Sequence, residues 1–168
     1  MTQLATLSSH QAPPQPVPAS ELPTSLATRF GEVRLDGDRL ITFPAGLLGF
    51  ADCRRYALAD LPGRPVAFKL LQSVDEPELA FLVLPLDLAQ GPISRGDLGQ
   101  ACDELGLEWP TLVALALVTL RQEEGGVHFS INLKAPLLID SRHQLGRQHV
   151  FAGDAYSLRH DLPRAHAA

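Results

Sequence analysis

The sequence predicts a mainly β fold: a small antiparallel β-barrel-like domain with one or two short helices. Three observations support this prediction: many apolar segments of strand length, turn signals between consecutive segments, and a single segment with clear helical periodicity. Short strands joined by frequent turns are typical of barrels and sandwiches. The 168 residues are long enough for one domain with a buried core.

The first 27 residues are predicted to be a disordered, proline-rich tail, and residues 28–168 are predicted to form the folded domain. No lysine or arginine occurs before Arg29. Such a segment buries too little apolar surface to offset the entropy lost on ordering. It also lacks the positive start and the apolar run of a secretory signal. The prolines of the tail are Pro13, Pro14, Pro16, Pro18 and Pro23.

The folded part opens with a predicted hairpin, in which residues 30–35 and 39–43 are strands joined by Asp36-Gly37. Asp-Gly between apolar runs favours a tight turn with positive φ. The following stretch, Gly46 to Phe50, is predicted to be a tight turn with Phe50 buried beneath it.

A second hairpin is predicted in the middle of the chain. Residues 66–72 and 79–84 are its strands, and the polar run Asp75-Glu76-Pro77-Glu78 is its turn. Residues 79–84 are apolar throughout, as expected of a strand buried on both faces.

The predicted helix runs from Ser94 to Leu105. Ser94 with Asp97 three residues later forms a start like a capping box, and Gly106 is a C-terminal stop. The apolar face of the helix consists of Leu98, Ala101, Cys102 and Leu105. Residues 112–120 fit a buried strand or a short second helix, and their length and β-branched content favour a strand.

Three further strands are predicted toward the C-terminus. Residues 127–133 alternate apolar and polar side chains, which predicts one buried and one polar face. The run Glu123-Glu124-Gly125-Gly126 before them is a hairpin turn. Residues 137–140 and 148–151 complete the series, separated by a polar loop around Gly146.

Charge is unevenly distributed along the chain. Residues 75–124 contain ten acidic residues and two basic ones, whereas the segments on either side are mildly basic. An acidic stretch repels nucleic acid and attracts basic proteins, so no direct nucleic-acid binding is expected. The alternative is a solvated, solubilising face.

Composition predicts a cytoplasmic protein without a membrane span. The longest apolar run, residues 112–118, is too short to cross a bilayer. Cys53 and Cys102 have no CxxC spacing and fit reduced thiols.

No catalytic residue, metal ligand or cofactor site is predicted, so we expect a protein that is not an enzyme. The sequence contains no nucleophile elbow, P-loop, dinucleotide fingerprint or zinc-protease helix. His143, His149 and His160 lack metal-ligand spacing. A small-molecule-binding barrel or an enzyme with an unrecognised pocket remains the alternative, because a fold pattern does not exclude a site.

Six motifs, which occur in order between Phe30 and His160, resemble the FliW family of flagellar assembly factors. They are Phe30-Gly31-Glu32-Val33, residues 41–50 (ITFPAGLLGF), residues 71–81 (LQSVDEPELAF), residues 132–136 (NLKAP), residues 146–148 (GRQ) and residues 156–160 (YSLRH). The resemblance implies a small β-barrel-like fold and a binding protein without enzymatic activity. It also implies two partners: flagellin in the cytoplasm, and the RNA-binding translational repressor CsrA. On this view export of flagellin frees the protein to capture CsrA, which then releases flagellin mRNA.

A physical hypothesis follows for the contact with CsrA. A protein that binds RNA phosphates is basic where it does so, and an acidic partner is steered toward it. The residues hypothesised to take part in this contact are Asp75, Glu76, Glu78, Asp103, Glu104 and Glu108. The alternative is that the first three form only a soluble turn.

Overall fold

A closed seven-stranded barrel with one α-helix on its outside is the main feature of the fold. The computed structural model describes residues 25–28, 31–34, 40–61 and 67–163, and all structural statements below concern these residues. The strands are β1 Ser25–Thr28, β2 Gly31–Arg34, β3 Leu40–Thr42, β4 Arg55–Asp60, β5 Lys69–Ser73, β6 Ala80–Pro85, β7 Leu112–Glu123, β8 Gly126–Ile131, β9 Leu137–Asp140, β10 Leu145–Gln148 and β11 His160–Asp161. The helix α1 spans Arg95–Leu105, and a single 3-10 turn spans Trp109–Thr111.

The barrel closes because β7 pairs on both sides. The strand order runs β7-β6-β5-β4-β3-β10-β9, and β9 returns to β7 with Leu112 opposite Asp140 and Leu115 opposite Leu137. Every pairing in this ring is antiparallel except β10 with β3, where Leu145 lies opposite Thr42. Closure leaves the ring without free edges. The predicted mainly β, barrel-like fold is confirmed.

Side chains fill the barrel interior. Alternate residues of each strand point inward, as the period of two in a strand requires. Phe43 and Tyr56 are fully buried there and meet edge to face, with ring centroids 5.6 Å apart. The buried members of this inner cluster are Ile41, Phe43, Leu47, Tyr56, Leu71, Val83, Leu115, Leu137 and Ile139.

Helix α1 confirms the predicted helix and both of its ends. The Ser94 hydroxyl accepts a hydrogen bond from the Asp97 amide, and Gly106 ends the helix in the left-handed conformation. Leu98, Ala101 and Cys102 are buried against the outer face of the sheet, while Leu105 is half-buried at its margin. The helix therefore covers one outer side of the barrel.

The two hairpin turns around residues 75–78 and 124–125 form as predicted, and residues 112–120 are a strand. Strand β5 pairs with β6 across the first turn, and β7 pairs with β8 across the second. Strand β7 is longer than expected because its second half, beyond the barrel, continues as the ribbon with β8.

The hairpin predicted for residues 30–43 does not form. Strand β2 pairs with β1, and β3 pairs with β4 and β10. Val33 of β2 is buried against Ala57 and Leu70, so β2 covers the outer surface of the barrel and does not extend its sheet. The predicted Asp36-Gly37 turn lies outside the described residues. Strand β1 begins at Ser25, three residues before the predicted start of the folded domain.

Two strand predictions near the C-terminus are also wrong in position. Gly146 lies inside β10, and the turn precedes it at residues 141–144. Gly146 is needed in the strand because a Cβ there would lie 2.5 Å from Cζ of Phe43. In β8 the predicted alternation of buried apolar and exposed polar side chains fails at two positions. Val127 is 40% exposed, whereas Ser130 is buried between Thr119 of β7 and Asp161 of β11.

Strand β5 begins at Lys69, and residue 66, the predicted start, is outside the described residues.

Candidate protein-binding surface

The acidic β5–β6 turn, residues 75–78, has a backbone fixed from within the sheet. The Glu76 amide donates to the Ser73 hydroxyl at 3.0 Å, and the Leu79 amide donates to the Glu76 carbonyl at 3.0 Å. Gln72, fully buried, donates from Nε2 to the carbonyls of Pro77 at 2.9 Å and Leu79 at 3.0 Å. The turn is therefore held in one shape before any partner arrives.

Asp75 is the anchor of the turn. Its Oδ2 accepts hydrogen bonds from the amides of Arg54 and Arg55, both at 2.8 Å, and its Oδ1 pairs with the Arg55 guanidinium at 2.6 Å. Burial alone would raise the pKa of Asp75, but the hydrogen bonds from Arg55 and Arg54 outweigh it and hold the pKa below its usual value. This carboxylate is engaged inside the molecule.

Glu76 and Glu78 are exposed, as Asp75 is, but unlike Asp75 their carboxylates have no hydrogen bond or ion pair within the described residues. A fixed backbone with two exposed carboxylates presents negative charge at low entropic cost to a partner. Of the six hypothesised acidic residues, these two are the exposed carboxylates without an internal contact on the fixed turn.

The other acidic residues, Asp103, Glu104 and Glu108, lie elsewhere. The β5–β6 turn precedes β6, whereas α1 and Glu108 follow its far end. Glu104 accepts a hydrogen bond from Gln100, and all three residues are exposed. A shared contact by all six residues therefore stays a prediction.

The loop of residues 45–51 lies next to the acidic turn. The ring of Phe50 packs edge to face on Phe81 of β6, with centroids 5.2 Å apart. Phe50 is 39% exposed, so the prediction that it is buried beneath the turn is wrong. The residue buried there is Leu47. The predicted tight turn does form, since Gly46 and Gly49 have φ of 66° and 84°.

A cleft of about 230 Å³ separates this loop from β10. It is lined by loop residues, including Leu47 and Leu48, and by Gly146, Arg147 and Gln148 of β10. Pockets for drug-sized ligands are about 300–1,000 Å³. Because the barrel interior is packed and the cleft is small, the geometry favours a side chain of a partner over a separate small molecule.

The C-terminal motif around Tyr156 has a structural role. The Tyr156 hydroxyl accepts a hydrogen bond from the Ser94 amide at 3.0 Å and donates to the Asp97 carboxylate. The hydroxyls of Tyr156 and Ser94 lower the pKa of Asp97. Tyr156 thus fixes the C-terminal segment to the start of α1.

Within the described residues, no group of three or more histidine, cysteine or acidic side chains is placed to hold a metal ion. Cys53 and Cys102 are both free thiols. No helix in the described part of the chain has the length and apolar character to span a membrane.

The link between Asp75 and Arg55 was not predictable from local sequence. The two residues are twenty positions apart, and only the pairing of β4 with β5 brings them together. The exposure of Leu48 and Phe50 was also not predictable from the local sequence, because apolar residues in a turn are expected to be buried.

The chain matches known proteins over most of its length. The model of the family described as FliW protein matches residues 24–162. The Flagellar assembly factor FliW of Natranaerobius thermophilus is 36% identical over 136 residues, which cover 79% of this chain and 87% of that protein. The protein of the same name from Oceanobacillus iheyensis is 35% identical over 130 residues, covering 76% of this chain and 85% of that one.

A solved structure supports the same assignment at the level of fold. The crystal structure of the flagellar assembly factor FliW superposes with a TM-score of 0.64 at 23% identity, covering 83% of this chain and 98% of that chain. Its likeness extends to the barrel topology. Together with the family match, it leads to one conclusion: the chain belongs to the FliW family.

Proposed function

We propose that this chain binds flagellin and the translational repressor CsrA, and that capture of CsrA relieves repression of flagellin translation. Both partners are found in the cytoplasm before flagellin export, so the proposal places this chain there. Membership of the FliW family supports the pair of partners. The activity requires only binding, and no covalent step is proposed.

The exposed acidic turn is the observation that carries the CsrA half of the proposal. CsrA binds RNA and must be basic where it meets phosphates. Glu76 and Glu78 offer two exposed carboxylates on a backbone already held by Gln72 and Ser73. Complementary charge speeds association and fixes orientation. The turn therefore suits a basic partner surface.

Calorimetry with the full chain and purified CsrA tests this half. We expect binding to wild type that weakens with salt. Reversing two charges, with Glu76→Lys and Glu78→Lys, should weaken binding roughly tenfold or more and reduce its salt dependence. Asp75 is left unchanged because it anchors the fold. Asp103→Lys with Glu104→Lys asks whether the helix end contributes.

Glu123→Lys with Glu124→Lys is the matched control. Glu123 ends β7 and Glu124 begins the turn to β8; both are exposed, and their reversal gives the same change in net charge. We expect affinity within about twofold of wild type. Equal weakening by both pairs would mean that total charge, and not the β5–β6 turn, governs binding.

The flagellin half is tested by competition. Flagellin added to the preformed complex with CsrA should change the apparent affinity for CsrA if the two partners are coupled through this protein. Wild type that binds neither protein at low ionic strength would contradict the proposed function.

A further inference from the structure

Two large apolar side chains stand exposed on one rigid loop. Leu48 is 64% exposed and Phe50 is 39% exposed, while Leu47 between them and the core is buried. A Cβ on Gly46 would lie 2.5 Å from the Phe50 carbonyl oxygen, so the backbone folds tightly on itself. The Leu48 amide donates to Oε1 of Gln148 at 2.8 Å, which ties the loop to β10.

This rigidity means that the loop does not fold inward to bury Leu48 and Phe50. The Phe50 amide donates to the Leu47 carbonyl at 2.8 Å, and the Gly46 amide donates to the Phe43 carbonyl at 2.8 Å. Grouped apolar exposure on a fixed surface is a mark of an interaction site.

The cleft beside the loop has room for one apolar side chain. Its volume is about 230 Å³, and a cavity of about 150 Å³ is enough to hold benzene. The loop forms one wall with Leu47 and Leu48, and β10 forms the other with Gly146 and Gln148.

Charged groups flank this apolar region on both sides. Phe50 contacts Phe81 and the Arg54 amide contacts Asp75, so the acidic turn with Glu76 and Glu78 adjoins the loop. Arg147 lines the cleft on the β10 side. A bound segment therefore meets Glu76, Glu78 and the Arg54 guanidinium on one side and Arg147 on the other. The Arg54 Nε donates to the Ala51 carbonyl at 3.4 Å.

We infer that the surface of Leu48, Phe50 and the adjoining cleft takes an apolar anchor side chain from a basic segment of a protein partner. The basic residues of that segment lie toward Glu76 and Glu78, and a neutral or acidic residue lies toward Arg147. The inference rests on the proposed function and specifies the chemistry of the partner segment. Interface hot spots lie in well-packed pockets from which the surrounding contacts exclude water.

Calorimetry with purified CsrA and the full chain separates this inference from the proposed function. Leu48→Ser with Phe50→Ser should weaken binding at least tenfold. Because Phe50 also packs on Phe81, Leu48→Ser alone serves as a second variant and should weaken binding about threefold to tenfold. Leu158→Ser is the control at an equally exposed leucine, 63% exposed, and should bind within about twofold of wild type.

A photocrosslinking residue placed at position 48 tests the chemistry of the partner segment. The crosslinked peptide, identified by mass spectrometry, should contain an apolar residue within a few positions of at least two lysines or arginines. A crosslinked peptide without basic residues overturns the inference, as does undiminished binding by the Leu48 and Phe50 variants. Wild type that fails to bind CsrA contradicts the proposed function itself, and this inference with it.

Discussion

The Asp75 carboxylate connects to Arg55 through both the amide, at 2.8 Å, and the guanidinium, at 2.6 Å. It thereby joins the β5–β6 turn to the beginning of β4. We predict that Asp75→Ala lowers the free energy of unfolding by about 2 kcal/mol, because it leaves two amides and a guanidinium without their charged acceptor. Urea denaturation measures this loss as a lower midpoint.

Glu78→Ala is the control for that prediction, since it removes a carboxylate from the same turn without an internal contact in the described residues. Its effect should stay within about 0.5 kcal/mol. Equal losses for both variants would show that Asp75 contributes no more than a surface charge.

The barrel could be predicted from the sequence to the extent that its signals are local. The cap at Ser94, the stop at Gly106 and the two hairpin turns each depend on a few neighbouring residues, and all are confirmed. The pairing of β2 with β1 depends on the burial of Val33 against the barrel, and the local sequence does not predict this contact. The exposed pair Leu48 and Phe50 was missed for the same reason: apolar character does not show which side a rigid turn faces.

Gly146 also illustrates this limit, because its role depends on a distant ring. Gly146→Ala should destabilise the protein by about 2 kcal/mol, since the added methyl would clash with the buried ring of Phe43 and lie 2.5 Å from its Cζ. Gly99→Ala is the matched control in α1, where nothing lies within 4 Å of the added Cβ. It should raise stability by about 0.5–1 kcal/mol through helix propensity. Shifts of the urea midpoint in the same direction for both variants, relative to wild type, would contradict this account.

Asp140 and His143 form a side-chain contact at the β9–β10 turn whose contribution to stability depends on pH. His143 Nδ1 lies 2.6 Å from Asp140 Oδ2, and this contact is the main reason that the pKa of Asp140 falls from 3.8 to about 2. The ionised form is favoured in the folded state, so its contribution is present above pH 3.8 and is lost as the pH falls toward 2.

We predict that His143→Ala raises the pKa of Asp140 toward 3.8, measured by NMR titration of the side-chain carboxyl carbon. The variant should also lose less stability than wild type between pH 5 and pH 2.5, because less of the pKa difference between folded and unfolded chains remains. The Asx-type contacts from the amides of Arg142 and His143 are retained as an internal control of the fold. An unchanged Asp140 pKa would exclude the His143 ring as its cause.

Replacing tyrosine by phenylalanine should change the free energy of unfolding in opposite directions at Tyr56 and Tyr156. The Tyr56 hydroxyl is fully buried in the barrel and has no hydrogen-bond partner among the described residues. Burial, with smaller effects from Cys53 and Asp75, raises its pKa to about 12. Since an unpaired buried hydroxyl costs about 1–3 kcal/mol, Tyr56→Phe should stabilise the protein by about 1 kcal/mol.

Tyr156→Phe should instead destabilise the protein, because its hydroxyl bonds the Ser94 amide and Asp97, and the pKa of Asp97 should rise when that bond is lost. Urea denaturation at pH 7 compares the two variants with wild type. The Tyr56 variant should also differ from wild type in how its stability changes at alkaline pH. The neutral phenol is favoured in the fold, so wild type loses this contribution to stability as the pH rises from the ordinary tyrosine pKa of 10.0 toward about 12. Tyr56→Phe has no such contribution to lose. A loss of stability in Tyr56→Phe at pH 7 would mean that the barrel interior satisfies this hydroxyl, and the packing of the inner cluster around it would have to be reconsidered.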